Sequence, residues 1–329
     1  MPYAIRVFKQ VLSFCIILYG ATAPASEPPY HFIKEIPVGG SAQWDYLKVD
    51  SETHRLYLSH ATKVEVIDLE KGTVIGTIEN TPGVHGIALA PKLGRAFTSN
   101  GQENKASIVD LKTLKTITKV ATGANPDSIL YEPVQNEVYT FNGKGKSATV
   151  FDPESGKVIA TIDLGGKPEF ATTDSQAGRI YVNIEDKNEV AVIDPKAHTV
   201  LNRWPISPGE AASGMAIDLE HHRLFLGCDN KKMVMLDSTT GKVMATVPIG
   251  AGVDANAFDP GTQLAFSSNG EEGTTTIARE TAPDKLTVVQ TLKTVVGSRT
   301  MALDHQTHNI YLPAPTPSFR VLVYGMEKK

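Results

Sequence analysis

The feature that most constrains this chain is a hairpin sequence that recurs at nearly constant spacing. Lys63 to Ile78 reads KVEVIDLEKGTVIGTI, and related stretches begin at Ala148, Val190 and Met233. Two runs of alternating apolar and polar residues around a short turn predict a β-hairpin. The aspartate before the turn recurs every 42 or 43 residues, at Asp68, Asp110, Asp152, Asp194 and Asp237. A fixed period predicts a row of similar structural units.

A second marker, an aromatic residue that opens one strand of each unit, gives the number of units. Its spacing is 40 to 45 residues, and it occupies Tyr57, Phe97, Tyr139, Tyr181, Phe225, Phe266 and Tyr311. Each unit contains four short strand patterns, which in the first unit are Tyr46–Val49, Leu56–Ser59, Val64–Asp68 and Val74–Ile78. Four strands in a unit of this length are typical of a propeller blade. The sequence therefore predicts an all-β fold, a seven-bladed β-propeller with four antiparallel strands per blade.

The two ends of the chain indicate how the ring closes. The last unit supplies three strands and then the chain stops, whereas Phe32 to Gly39 (FIKEIPVG) is similar to the outer strand at Val243 to Gly250 (VMATVPIG). We expect the N-terminal strand to complete the last blade. Closing the ring would remove the exposed sheet edges that promote aggregation.

The first 25 residues are typical of a secretory signal peptide. Arg6 and Lys9 precede an apolar run at Val11–Tyr19, and small residues follow at Ala23 and Ala25. This order predicts cleavage after Ala25, and the apolar run is too short to span a bilayer. We expect a periplasmic or secreted protein with no transmembrane span after cleavage, a single propeller domain over 26–329, and a monomer.

Charge and cysteine content narrow the function classes. Residues 26–329 carry 30 basic and 36 acidic side chains, a net charge of about −6, with no cluster of Lys and Arg. Nucleic acid is therefore not an expected partner. Cys228 is the only cysteine in this range, so an intramolecular disulfide is impossible. The pattern around Cys228 gives no role for it.

Several motifs resemble a known family. Tyr139–Asn142 (YTFN), Phe97–Asn100 (FTSN) and Phe266–Asn269 (FSSN) are similar to the YVTN repeat, and Ser298–Pro313 (SRTMALDHQTHNIYLP) resembles a C-terminal signature of the same group. The chain thus resembles the YVTN or YncE-like seven-bladed β-propellers of bacterial envelopes. That resemblance implies export and the binding of a small molecule or an envelope protein. Related propellers include lactonases, metal-dependent hydrolases and single-strand DNA binders.

Aligning the units on one another reveals a polar position at the start of each innermost strand. It lies twelve residues before the aromatic marker and is occupied by Asp45, His85, Asp127, Glu169, Ser213, Asp254 and Arg299. Because this strand lines the channel of a propeller, we expect a polar, mainly acidic ring at one channel mouth. Crowded carboxylates repel, so the ring should hold protons, pair with Arg299 or bind a cation.

A second aligned position lies at the same end, three residues after each aromatic. It holds Asn100, Asn142 and Asn269, where a structural role in the loop is expected, but His60 and Cys228 in two other units. The remaining histidines of the repeats fall in turns at the opposite end, where we expect ordinary polar roles; they are His54, His198, His221, His222, His305 and His308.

These positions lead to two hypotheses. The favoured function is a binding protein that holds a small ligand, a metal ion or a partner protein; the ligand-binding candidates are Trp44, Asp45, Asp127, Glu169, Asp254 and Arg299. Imidazole and carboxylates suit a divalent metal ion, so the metal candidates are Asp45, His60, His85 and Asp127. The alternative is a metal-assisted hydrolase or lyase of the lactonase kind, with His60, His85 and Arg299 as candidate catalytic groups. No nucleophile elbow, HExxH, CxxC or phosphate loop decides between them.

Overall fold

The computed structural model describes Met1 and residues 30–326, so the predicted leader lies outside the range on which the fold can be judged. Within that range the chain forms seven four-stranded antiparallel sheets. This confirms the predicted seven-bladed β-propeller. None of the described helices is long and apolar enough to cross a membrane.

The strands follow one another from the innermost to the outermost position in each blade. In the first three blades their bounds are β2 Leu47–Asp50, β3 Arg55–His60, β4 Lys63–Asp68, β5 Thr73–Ile78; β6 Val84–Ala90, β7 Arg95–Asn100, β8 Lys105–Asp110, β9 Thr116–Ala121; and β10 Pro126–Glu132, β11 Glu137–Asn142, β12 Ser147–Phe151, β13 Val158–Asp163. Single turns of 3-10 helix lie at Pro91–Leu93 and Glu185–Lys187.

The last four blades repeat the order. Their strands are β14 Pro168–Asp174, β15 Arg179–Ile184, β16 Glu189–Asp194, β17 Thr199–Pro205; β18 Ala212–Asp218, β19 Arg223–Cys228, β20 Lys232–Asp237, β21 Val243–Pro248; β22 Val253–Asp259, β23 Leu264–Asn269, β24 Thr274–Ala282, β25 Lys285–Lys293; and β26 Ala302–Leu303, β27 Ile310–Ala314, β28 Arg320–Gly325. Blade 7 is completed by β1, His31–Pro37.

The closing strand behaves as the sequence predicts. β1 runs antiparallel to β28, with Lys34 opposite Val323 and Ile36 opposite Val321. Ile36 is fully buried and packs in one apolar cluster with residues of blades 7 and 1. The ring is therefore closed by main-chain hydrogen bonds and by apolar packing.

The aspartate marker has a local physical cause. Asp68 Oδ1 accepts the backbone N–H groups of Glu70 and Lys71, at 3.1 and 2.9 Å, and so fixes the turn between the third and fourth strands. The same pattern recurs at the other four marker aspartates. Because an Asp side chain can accept the backbone N–H groups of the turn that follows it, Asp recurs at this position of the repeat.

The aromatic marker fills the space between blades. Six of the seven rings are no more than 1% exposed, and burying such a ring contributes about 2–3 kcal/mol. Two of the phenols also reach the neighbouring blade: Tyr139, which donates to Glu137 Oε2 at 2.7 Å, lies 3.2 Å from Pro195 O, and Tyr181 donates to Ser238 O at 2.8 Å. The marker thus joins successive blades as well as filling the core.

Candidate functional site

The seven aligned polar positions all lie at one end of the channel. Five are the second residues of the innermost strands β6, β10, β14, β18 and β22, while Asp45 and Arg299 lie just before β2 and β26. We call these seven residues the rim: Asp45, His85, Asp127, Glu169, Ser213, Asp254 and Arg299. The repeat delivers them to one mouth because each blade begins its innermost strand there.

Three rim residues from consecutive blades converge on one point. His85 Nδ1 donates to Asp45 Oδ2 at 2.6 Å and lies 3.8 Å from Asp127 Oδ1. One potential ligand atom from each of the three side chains lies within 4.8 Å of the others. The three side chains are 29, 17 and 14% exposed, for His85, Asp45 and Asp127 respectively, so the group is accessible from the mouth.

The surroundings of this group raise the pKa values of His85 and Asp127. Burial alone would lower the pKa of His85, but the hydrogen bond to Asp45 and the charge of Asp127 outweigh it and raise that pKa to about 9. Burial, and then repulsion from Asp45, raises the pKa of Asp127 to about 7. At neutral pH His85 is therefore an imidazolium, a hydrogen-bond donor rather than a proton acceptor.

Glu169 extends the rim into blade 4 through a lysine. Lys167 forms ion pairs with both Glu169 and Glu185. Burial and repulsion from Asp127 nevertheless raise the pKa of Glu169 to about 8. One ammonium is thus too little to offset the crowding of carboxylates on this side.

On the other side of the rim, Arg299 provides a positive charge beside the carboxylate of Asp254. Its Nε donates to Asp254 Oδ2 at 2.8 Å, and a terminal nitrogen donates to Trp44 O at 2.7 Å. The guanidinium carbon lies 5.1 Å from the centre of the Trp44 ring, a cation–π contact. Burial and repulsion from Asp45 still outweigh Arg299 and raise the pKa of Asp254 to about 6.

Trp44 and Arg299 therefore act together as one wall of the mouth. The Trp44 ring is only 8% exposed, stacks on Phe319 at 5.3 Å and donates from Nε1 to Thr300 Oγ1 at 3.2 Å. A packed indole leaves little surface for stacking a ligand. Arg299, with its side chain 42% exposed, is the member of this wall that faces solvent.

His60 does not join the group formed by Asp45, His85 and Asp127. It is 3% exposed; Nδ1 lies 3.1 Å from Glu65 Oε1 and Nε2 lies 2.7 Å from Ser41 O. Its ring also lies 4.8 Å from that of Phe319. Both nitrogens are engaged, so His60 links strands and loop in the way the equivalent asparagines do.

Those asparagines are structural in this sense. Asn142 is fully buried, and its Nδ2 donates to Ser147 Oγ at 3.2 Å and Thr149 Oγ1 at 3.1 Å. Cys228, at the same aligned position, is fully buried too, and burial raises the pKa of its thiol to about 12. A thiol of that kind is a poor nucleophile.

Tyr46 is a channel residue that the aligned positions did not single out. Its ring, from blade 1, meets that of Phe170, from blade 4, at 5.3 Å across the channel. Burial and the neighbouring carboxylates, Asp127 first, raise the pKa of Tyr46 well above its usual range. A signal was present: the residue after each rim position is small in five blades and aromatic in these two.

A second carboxylate and histidine group lies at the opposite end. Potential ligand atoms of Asp218, His221 and Glu280 also lie within 4.8 Å of one another. Here Arg223 Nε already pairs with Glu280 Oε1 at 3.3 Å, and Asp218 Oδ2 accepts from His221 at 2.7 Å. Because a guanidinium already occupies this group, it is less suited to a metal ion than the rim.

The sheets and the channel thus define a seven-bladed β-propeller with an acidic mouth. No protein-family model and no curated protein sequence matches the chain. Solved structures do: hydrazine synthase of Kuenenia stuttgartiensis is similar at 14% identity with a TM-score of 0.75, covering 89% of this chain and 98% of that one.

Two further propellers are similar to the same extent. The Cps50 (Swd1) propeller domain of Myceliophteria thermophila has 10% identity and a TM-score of 0.74, covering 91% of this chain and 100% of that one. The WD40 propeller domain of Doa1 has 12% identity and a TM-score of 0.75, covering 91 and 98%. Likeness at such low identity establishes the fold alone, and activity has to be argued from the site.

Proposed function

We propose that this protein is a ligand-binding propeller that holds a divalent metal ion at its rim, through Asp45, His85 and Asp127. The observation that carries the proposal is their convergence: three consecutive blades each place one donor atom within 4.8 Å of the other two. One imidazole nitrogen and two carboxylate oxygens form a donor set that first-row divalent ions accept.

The charge of the rim supports a cation rather than an anion. Four carboxylates, those of Asp45, Asp127, Glu169 and Asp254, face three cationic groups: the His85 imidazole, Arg299 and the Lys167 ammonium that pairs with Glu169. A bound divalent ion would replace the proton on His85 and relieve the repulsion that raises the pKa of Asp127. Metal binding should therefore release protons.

Binding is better supported than catalysis. The hydrolase or lyase alternative needs a general base, for which His60 and His85 are the candidates. Both nitrogens of His60 accept or donate hydrogen bonds within the fold, and His85 carries a proton at neutral pH. Arg299, the third candidate, pairs with Asp254 and cannot serve as a base.

Membership of the YVTN or YncE-like group, and export to the periplasm or medium, form part of the same proposal. The repeat motifs and the leader-like residues 1–25 support them. Expression in a bacterium with the leader intact, followed by mass measurement of the protein from the envelope fraction, tests export. A mature chain that begins at Ser26 is expected, and an uncleaved chain in the cytoplasm would contradict it.

Metal titration tests the rim site. Protein stripped with a chelator and titrated calorimetrically with Zn²⁺, Mn²⁺ or Ni²⁺ should bind one equivalent of at least one ion. His85→Gln and Asp127→Asn should each weaken that binding by about 100-fold, because one of three donors is lost. Glu154→Gln, which removes an exposed carboxylate from a turn at the opposite end, is the matched control. Failure of the wild type to bind, or equal binding by His85→Gln, overturns the proposal.

A further inference from the structure

A second part of the channel lies beyond the rim and has different chemistry. A cavity of about 620 Å³ is lined by the innermost strands of all seven blades. Its lining reaches Ser51, Glu220 and His305, which belong to turns at the end opposite the rim. None of the seven rim residues lines it. Its volume falls in the range of small-molecule sites, about 300–1,000 Å³.

The floor of this cavity separates it from the rim. Tyr46 and Phe170 line it, and their rings meet edge to face at 5.3 Å from opposite sides of the channel. A ligand that enters from the turn end therefore meets these two rings before it meets the rim carboxylates. The two sites are distinct in position as well as in chemistry.

The wall above that floor is mainly apolar. It is formed by Leu47, Ile87, Ile129, Ala171, Met215, Met301 and Phe258, contributed by different blades. Such a wall takes up the apolar body of a ligand because it removes hydrocarbon from water, at about 25 cal/mol per Å² of area.

One basic side chain in this cavity lacks a counter-ion. Lys48 is exposed, lines the cavity and forms no ion pair with any of the described residues. Desolvation by the channel wall lowers the pKa of its amine, and no charged neighbour offsets that shift. Burial lowers the pKa of His305; the charge of Lys48 adds to that shift, whereas Asp259 and Asp304 oppose it.

The acidic residues in the cavity lining, Asp218 and Glu220, belong to blade 5, and Asp218 already accepts hydrogen bonds. Asp218 accepts the Glu220 N–H at 3.0 Å and pairs with His221 at 2.7 Å. The cavity lining thus carries the ammonium of Lys48 on blade 1 and carboxylates on blade 5. An elongated anion would therefore direct its charged end to Lys48.

We propose that this cavity is a second ligand site, which takes a small organic carboxylate with an apolar body, its carboxylate paired with Lys48 and its body packed on the apolar wall. The proposal does not depend on the metal site at the rim, because the two sites share no residue. Charge complementarity selects the head of the ligand and the lining selects its tail.

Calorimetric titration with decanoate, below its micellar concentration, tests the proposal, with decan-1-ol as the uncharged probe of equal chain length. Wild-type protein should bind decanoate saturably and decan-1-ol about tenfold more weakly, since a charge-assisted hydrogen bond is lost. Lys48→Met should weaken decanoate binding about tenfold, and Lys48→Arg, which keeps the charge, should restore most of it.

Lys115→Met is the matched control, because Lys115 is an exposed lysine in a turn outside the channel. It should bind decanoate like the wild type. Thermal unfolding of each variant shows whether the fold is intact, and Lys48→Met should unfold no earlier than the wild type. Equal decanoate binding by wild type and Lys48→Met, equal binding of decan-1-ol and decanoate, or no saturable binding overturns the proposal.

Discussion

The two ends of the channel are made from the same seven strands and carry opposite chemistry. At the rim the charged groups are crowded and largely paired with one another, as His85 is with Asp45 and Arg299 with Asp254. At the turn end the wall is mainly apolar, and the lysine in its lining, Lys48, forms no ion pair within the part of the chain that the structure describes. Only a few residues of each innermost strand separate the charged rim from the mainly apolar cavity.

The comparison shows how a repeat fold acquires specific sites. The repeat fixes which positions face the channel, and it does so equally in all blades. Departures from the repeat at individual blades then supply the chemistry: His85 among carboxylates, Lys48 among apolar residues, and two aromatic residues among small ones. Variants at either end can show whether the two ends are as independent as their separate linings imply.

The largest effect is expected at the boundary between the two ends. Tyr46→Ala removes a ring that is 7% exposed and packs on Phe170, and should lower the free energy of unfolding by about 3 kcal/mol. Tyr46→Phe keeps the ring and should cost less than about 1 kcal/mol. Denaturant unfolding measures both. Equal losses in the two variants would mean that the hydroxyl, rather than the ring, holds the boundary.

An intermediate effect is expected from pH, and it should arise mainly at the rim. Folding raises the pKa of Asp127 from 3.8 to about 7 and that of His85 from 6.5 to about 9, so the folded state binds more protons than the unfolded state between these limits. The stability gained from those protons is present at low pH and is lost as pH rises through the folded-state values. The free energy of unfolding should therefore fall between pH 4 and 9.

Asp127→Asn provides the matched test of that pH dependence. It removes one of the proton-binding groups, so denaturant unfolding should give a flatter profile, mainly below pH 7. Glu154→Gln should keep the wild-type slope, because Glu154 is an exposed turn residue away from the rim. Parallel profiles for wild type and Asp127→Asn would show that the rim does not control the pH dependence.

The smallest effect is expected from the lysine beside the rim. Lys167→Met removes the ion pairs with Glu169 and Glu185, and because Lys167 is 44% exposed its loss should cost less than about 1 kcal/mol. The loss of one positive charge should instead raise the affinity of the rim for a divalent ion by about two- to threefold at low salt. Calorimetry at two salt concentrations measures this, and unchanged or weaker metal binding would contradict the view of the rim as one electrostatic unit.

Much of the fold could be predicted because the repeat expresses local rules. The aspartate markers cap their own turns and the aromatic markers fill the gaps between blades, so both recur wherever a blade is built. Pairing of β1 with β28 was predictable from similarity between the first and outer strands. The signal peptide, export and the family resemblance remain predictions.

The site was predictable only in part. Alignment of the units placed Asp45, His85 and Asp127 at one mouth, but gave no distances. It also placed His60 beside them. In the structure the two ring nitrogens of His60 instead form hydrogen bonds with Glu65 and Ser41. The direction in which a side chain points depends on packing partners far away in the sequence, which a period of about 42 residues does not encode.

The sequence by itself determined the number of blades, the closure of the ring and the set of positions that face the channel, because these follow from strand periodicity and turn chemistry repeated along the chain. Tertiary structure alone decided which of those positions meet. Tyr46 reaches Phe170 across the ring, and His85 donates to Asp45 rather than to another carboxylate. Such contacts join blades that are distant along the chain, so they exist only once the closed ring fixes how far apart the blades lie.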